Sequence, residues 1–205
     1  MGWYGEHVLP YLLDAAMDTP ELRTIRARVA AGLAGDVLEI GFGSGHNLPH
    51  LPPGVTRLLA VEPSGAAIDR ARKRIAASPV TVEIVAPDAQ RLPLPDASVD
   101  SALCTWSLCT IPDPVAAVAE IRRVLRPGGQ LHLVEHGLAP DADVRRWQAR
   151  LNPLQRRLVG GCTLDRDIPA LLARGGMRVT ELSTYYGRGE PKAYAAMYEG
   201  RAVAA

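Results

Sequence analysis

An α/β fold built on a mostly parallel sheet is predicted by three observations. Strand-like and helix-like patterns alternate along most of the 205 residues, which puts crossover helices on both faces of a parallel sheet. A glycine-rich turn follows the first strand directly. The last two strands are separated by about eight residues, too few for a crossover, which suits an antiparallel pair.

Each element has a local reason. Residues 6–17 and 20–32 have helical spacing, and Thr19-Pro20 supplies an N-cap followed by proline at the first helical position. The first strand, 36–40, ends at Gly41, and the second, 57–62, is built on Leu58-Leu59-Ala60-Val61. Ser64 caps a helix through Ala77 that turns Arg70, Arg72, Lys73 and Arg74 outward. The third strand, 80–85, alternates at Val80, Val82 and Ile84, and 101–106 is the fourth. Asp113-Pro114 opens a helix through Leu125, with Val115, Val118, Ile121 and Leu125 on one stripe. Arg126-Pro127-Gly128-Gly129 is a turn before the fifth strand, 130–135. Asp141 caps another helix, a further one covers about 166–174 up to Gly175-Gly176, and strands 177–184 and 193–199 close the chain. With no internal repeat or linker, one domain over 1–205 is expected, with 1–32 as an N-terminal helical cover.

Composition removes several function classes. Apolar residues make up 47% and charged residues 22%, the balance of an ordinary soluble globule. The net charge is +1 with no basic run, against the clustered footprint that nucleic acid needs. No apolar run reaches ~18 residues, so no membrane span is expected. The N-terminus lacks the basic-then-apolar order of a signal peptide. Cys104, Cys109 and Cys162 are odd in number with no CxxC pair. They read as reduced thiols of a cytoplasmic protein, not a zinc site or disulfide framework, and no metal is expected.

The chemistry begins at Glu39-Ile40-Gly41-Phe42-Gly43-Ser44-Gly45. Glycines at 41, 43 and 45 permit a sharp turn and let a ligand approach the backbone. Their G-x-G-x-G spacing differs from the G-x-G-x-x-G of dinucleotide folds. Glu62 closes the second strand, where its carboxylate can accept two hydrogen bonds from ribose hydroxyls. Asp88 follows the third strand, placed for an exocyclic amine such as that of adenine. These residues specify an adenosine-bearing ligand. The loop has no Lys, and Glu39 and Glu62 would repel a pyrophosphate, so a cationic sulfonium fits better.

Val37 to Gly45 resembles the first motif of the class I S-adenosylmethionine-dependent methyltransferases. Glu62 is similar to their ribose-binding acid, and Asp88-Ala89 to their adenine-side motif. Leu92-Pro93, Ser98-Val99-Asp100 and Arg123 to Gly129 resemble their approaches to the fourth and fifth strands. The resemblance, over about 36 to 200, implies a Rossmann-like fold. It implies a seven-stranded sheet in the order 3-2-1-4-5-7-6, strand 7 antiparallel, with helices on both faces. It also implies S-adenosyl-L-methionine as cofactor and S-adenosyl-L-homocysteine as product. Glu39 would orient the amino group, Gly41, Gly43 and Gly45 would face the methionine part, and Glu62 would take the ribose. Asp88 and Ala89 would take adenine, and the backbone near Cys104 and Thr105 would line the methionine side. Leu103 to Cys109, Val134-Glu135-His136, Asn152-Pro153 and Gly161-Cys162-Thr163-Leu164 with Arg166 resemble the methyltransferase-like thiol S-methyltransferases. Animal members carry an N-terminal membrane anchor, whereas this chain begins at the cover helices. Quinone and phospholipid methyltransferases are similar more loosely.

A small-molecule acceptor is expected at the carboxyl ends of the strands. Most aromatics fall in rim segments: Trp3, Tyr4 and Tyr11 in the cover, then Trp106, Trp147, Tyr185 and Tyr186. Tyr4, Trp106, Trp147 and Tyr185 are the expected acceptor pocket, although packing of the cover onto the sheet explains them equally. His136, just past the fifth strand, is the candidate base, against a plain loop role; His46 and His7 are weaker candidates. Sulfur is the first acceptor atom by resemblance, with oxygen or nitrogen of a small apolar, quinone-like or lipid metabolite next. A cofactor-binding protein without catalysis stays open. An arsenite methyltransferase is disfavoured by the cysteine positions, and a nicotinamide dehydrogenase by the glycine spacing.

Overall fold

The structure is a computed structural model and describes residues 9–205. Two helices, α1 (Leu9–Ala16) and α2 (Pro20–Ala30), precede the sheet. Then come β1 (Gly35–Ile40), β2 (Val55–Val61), α3 (Gly65–Ala77), β3 (Thr81–Ala86), β4 (Val99–Thr105), α4 (Pro114–Val124) and β5 (Leu125–His136). The chain ends with α5 (Ala142–Leu158), α6 (Ile168–Arg174), β6 (Met177–Tyr186), α7 (Lys192–Ala195) and β7 (Ala196–Ala204). The strand order is β3-β2-β1-β4-β5-β7-β6. β1 to β5 pair in parallel, and β7 runs antiparallel to both β5 and β6.

The helix starts follow their capping residues. Thr19, Ser64, Asp113 and Asp167 each accept a hydrogen bond from the backbone N–H three residues on. Asp141 stands at the N-cap of α5 without a capping bond; its carboxylate accepts from the Tyr186 hydroxyl at 2.9 Å instead.

The boundaries differ most from the sequence reading at β5 and β7. The turn at 126–129 lies inside a longer β5, because the register between β4 and β5 shifts there and absorbs those residues. The last strand runs over Ala196–Ala204 and not 193–199, after the four-residue α7. Its sequence lacks period-two alternation; pairing with strands on both sides decides it.

The core lies on both faces of the sheet. One cluster packs Leu38, Ile40, Ala102, Leu131 and Leu133 against Val118 and Ile121 of α4 and Leu172 of α6. The other packs Val37, Leu58, Ala60, Leu103 and Val134 against Ile25 and Val29 of α2 and Ala71 of α3. The carboxyl ends of β1 to β5 meet one edge, and β7 begins there, with His136 paired to Met197. No helix among the described residues is long and apolar enough to cross a membrane.

Candidate active site

Period-two alternation sorts the side chains at that edge. Glu39 shares its face of β1 with Val37, toward α2, while Leu38 and Ile40 face α4. On β4, Thr105 shares the α2 face with Leu103, and Cys104 turns to the other. The strand order reverses between β1 and β4, so the loops leaving them part and open a crevice.

The three loop glycines have different reasons. A Cβ on Gly41 (φ +72°) would lie 1.9 Å from Ser107 Oγ, and one on Gly45 would press on Phe42 and Leu48 at 3.1 and 3.2 Å. A Cβ on Gly43 (φ +57°) would meet nothing closer than 4.0 Å. Packing against the chain therefore fixes Gly41 and Gly45, and Gly43 faces open space. Glu62 ties this loop down: its carboxylate accepts from the backbone N–H groups of Gly43 and Ser64, each at 2.8 Å. Burial raises the Glu62 pKa above its ordinary value against those two bonds.

Behind the loop is a buried polar knot. Glu39 Oε1 accepts from Asn47 Nδ2 at 2.7 Å, and Asn47 Nδ2 reaches Thr105 Oγ1 at 3.0 Å. Arg26 of α2 donates from Nη1 to Asn47 Oδ1 at 2.9 Å and Thr105 Oγ1 at 3.2 Å. Its guanidinium sits 4.8 Å over the Trp106 ring. Two buried atoms here have no partner, Glu39 Oε2 and Arg26 Nε. Burial pushes the Glu39 pKa up to about 7 and the Arg26 pKa down to about 10. A free acceptor on an acid beside a free donor on a base is the complement of an amino-acid zwitterion. Sequence reading missed Arg26 and Asn47; a charged residue among Ile25, Val29 and Ala30, on a buried helix face, marks Arg26.

The cover helix α1 grips the glycine loop through Asp14. That carboxylate accepts from Ser44 Oγ at 2.6 Å, from Arg74 Nη1 at 3.1 Å and from Arg70. His46 Nε2 lies 2.9 Å away without hydrogen-bond alignment. These partners hold the Asp14 pKa down at about 2 against its burial. On the adenine side, Ala89 is buried and Asp88 exposed. Asp88 Oδ1 accepts from the backbone and side-chain nitrogens of Gln90 at 2.9 and 2.8 Å.

Trp106 ends this crevice with a left-handed backbone, φ +52°, an outlier for a bulky residue that surrounding structure must hold in place. The hold comes from Glu135. Its buried carboxylate accepts from the N–H groups of Ser107, Leu108 and Cys109 at 2.8, 3.0 and 3.3 Å and from Cys104 Sγ at 3.2 Å. Cys104 is thus spent on Glu135, and its thiol faces away from Glu39. His136 stands 6.5 Å from Trp106, ring to ring. Burial lowers its pKa to about 4, so at neutral pH it is an uncharged, weak base. Tyr185 packs with the cluster that holds Trp106 and Met197, its hydroxyl 2.5 Å from Glu199 Oε2. Trp147 is set apart from this group: it is 56% exposed on α5, with Arg150 stacked over it. That exposure does not fit a pocket wall. Trp3, Tyr4 and His7 lie outside the described residues. Cys109, His136 and Cys162 converge, which their spacing in the sequence did not suggest.

Residues 38–133 match the family model of the methyltransferase domain. They make up a little under half of the chain, which thus carries a methyltransferase domain, and the orphaned Glu39 and Arg26 atoms fit the amino-acid end of S-adenosylmethionine. The chain is 34% identical over 142 residues to the human thiol S-methyltransferase TMT1B, covering 66% of this chain and 58% of that protein. It is 32% identical over 150 residues to human thiol S-methyltransferase TMT1A, covering 71% and 61%. The chain thus spans about three fifths of the length of these curated relatives. A solved S-adenosylmethionine-dependent methyltransferase from Thermotoga maritima superposes with a TM-score of 0.68 at 21% identity, covering 98% of each chain.

Proposed function

We propose that this protein transfers a methyl group from S-adenosylmethionine to the sulfur of a small thiol. The observation that carries the cofactor half is the pair of unpartnered buried atoms, Glu39 Oε2 and Arg26 Nε, beside the Gly43–Glu62 link. Glu39 would take the ammonium, Arg26 the carboxylate, Glu62 the ribose hydroxyls, and Asp88 and Ala89 the adenine. The Gly43 backbone, with those of Cys104 and Thr105, would line the methionine part. When bound, S-adenosylmethionine supplies an electrophilic methyl on a sulfonium.

Trp106, Tyr185 and His136 are the acceptor side of this reading, with Tyr4 as a further candidate. Their work is to orient the acceptor sulfur on the methyl axis and exclude water. The acceptor sulfur would take the methyl carbon that S-adenosylmethionine gives up, leaving S-adenosylhomocysteine, and the thiol's proton would pass to solvent. Two things support sulfur. The thiol S-methyltransferases are the relatives reported above. His136, with a pKa of about 4, suits an acceptor that ionises largely by itself; a thiol near pKa 8.5 does so more readily than a phenol near 10. Rate profiles against pH with two thiols of different acidity test this. The inflection should move with the thiol; one fixed inflection for both would mean that a protein base controls the step.

A further inference from the structure

Three metal-ligating side chains that this reading leaves largely unused converge beside the crevice. Cys109 follows β4, His136 ends β5, and Cys162 lies between α5 and α6. Their ligand atoms lie within 4.8 Å of one another, and the two sulfurs are 3.6 Å apart. In a tetrahedral site with Zn–S near 2.3 Å, two thiolates stand about 3.8 Å apart and a thiolate and an imidazole nitrogen about 3.6 Å. The sulfurs already span such an edge, and the imidazole completes the set with a shift on the order of 1 Å.

The two cysteine loops are clipped together independently of any ion. The Thr163 N–H and hydroxyl both donate to the Cys109 carbonyl, at 2.9 and 3.0 Å. Arg166 Nη2 donates to the Ile111 carbonyl at 2.7 Å, and the Leu164 N–H to Asn152 Oδ1 at 2.8 Å. The donor chemistry agrees. No hydrogen bond reaches either His136 ring nitrogen among the described residues, which leaves the ring available to a metal. Two thiolates and a neutral imidazole balance a divalent cation, so the buried site would carry no net charge. Glu135 and Arg166 act on the cysteines with opposing signs, and Glu190 lines the adjoining cavity.

We propose that Cys109, His136 and Cys162 form a three-ligand site for Zn²⁺. Its fourth position is left toward the cavity of about 250 Å³ lined by His136, Gln155, Leu164, Glu190, Pro191 and Tyr194. Three protein ligands with one open position is the arrangement of a catalytic, not a closed structural, zinc site. The proposal stands on the cluster itself, whichever acceptor atom is methylated.

The test is metal content of the full chain, reduced, stripped with a chelator and dialysed against Zn²⁺. One ion per chain is expected. Cys162→Ser and His136→Gln should each weaken binding by at least about 100-fold, more than an outer-shell change would, with unchanged far-UV circular dichroism. Cys104→Ser should bind as the wild type does. A wild-type chain holding no more Zn²⁺ than Cys162→Ser overturns the proposal. Should the variants fail to fold, Co²⁺ in the wild type decides: intense tetrahedral bands with thiolate charge transfer support the site, and a weak octahedral spectrum overturns it.

Discussion

Glu39 is the residue whose charge the cofactor should feel first. Its folded pKa of about 7 lies above the ordinary 4.5. The proton it retains therefore favours the folded state below pH 4.5, and that advantage is lost as pH rises through 7. An ammonium bound at Oε2 needs the ionised form, so affinity for S-adenosylhomocysteine should rise by up to about tenfold per pH unit below 7 and then level off. In Glu39→Gln that slope should vanish and affinity stay low; calorimetric titrations from pH 5.5 to 8.5 would show it. A Glu39→Gln chain with the wild-type slope would place the ammonium elsewhere. The glycines divide at the same scale. Gly41→Ala should lower stability, because its Cβ would overlap Ser107. Gly43→Val should lower the melting temperature less, through the strain of a β-branched residue at φ +57° without a clash, and remove most cofactor affinity, because its side chain enters open space. Equal thermal shifts with intact binding would make Gly43 a turn residue only. Glu39, Glu62 and the glycines were legible in the sequence because strand-end position and backbone freedom are local. Arg26, Asn47 and Glu135 were not, because each acts through partners distant in the chain.

Among elements, α1 carries the most specific expectation. Asp14 joins it to the glycine loop and to α3 through Ser44, Arg70 and Arg74. Asp14→Ala strands those partners and should cost about 2 kcal/mol of stability, since the acid is mostly buried. It should also speed amide exchange at 43–46; exchange unchanged there would mean that α1 merely rests on the loop. With its folded pKa near 2, below the ordinary 3.8, Asp14 stabilises the fold above pH 3.8. That contribution fades as pH falls through 3.8 toward 2. The capping residues made the starts of α2, α3 and α4 legible. The start of β7 was not, since residues 193–199 carry no strand pattern of their own and the two neighbouring strands impose it.

At the scale of the molecule, the strand order was legible through the family resemblance, and the terminal hairpin, read separately from the short connection between the last two strands, agreed with it. The acceptor side was less so. Aromatic content did not distinguish Trp106, locked at the crevice by Glu135, from Trp147, exposed on α5. The convergence of Cys109, His136 and Cys162 depends on three loops meeting. Sulfur methylation is the claim on which these placements bear together. Its most direct measurement supplies S-adenosylmethionine carrying a deuterated methyl group to the protein with equal amounts of an alkyl thiol, a phenol and a primary amine. Mass spectrometry then reads the products. Label in the methyl thioether, with little in the ether or the methylamine, is the predicted result. Label in the ether or the methylamine with none in the thioether would contradict it.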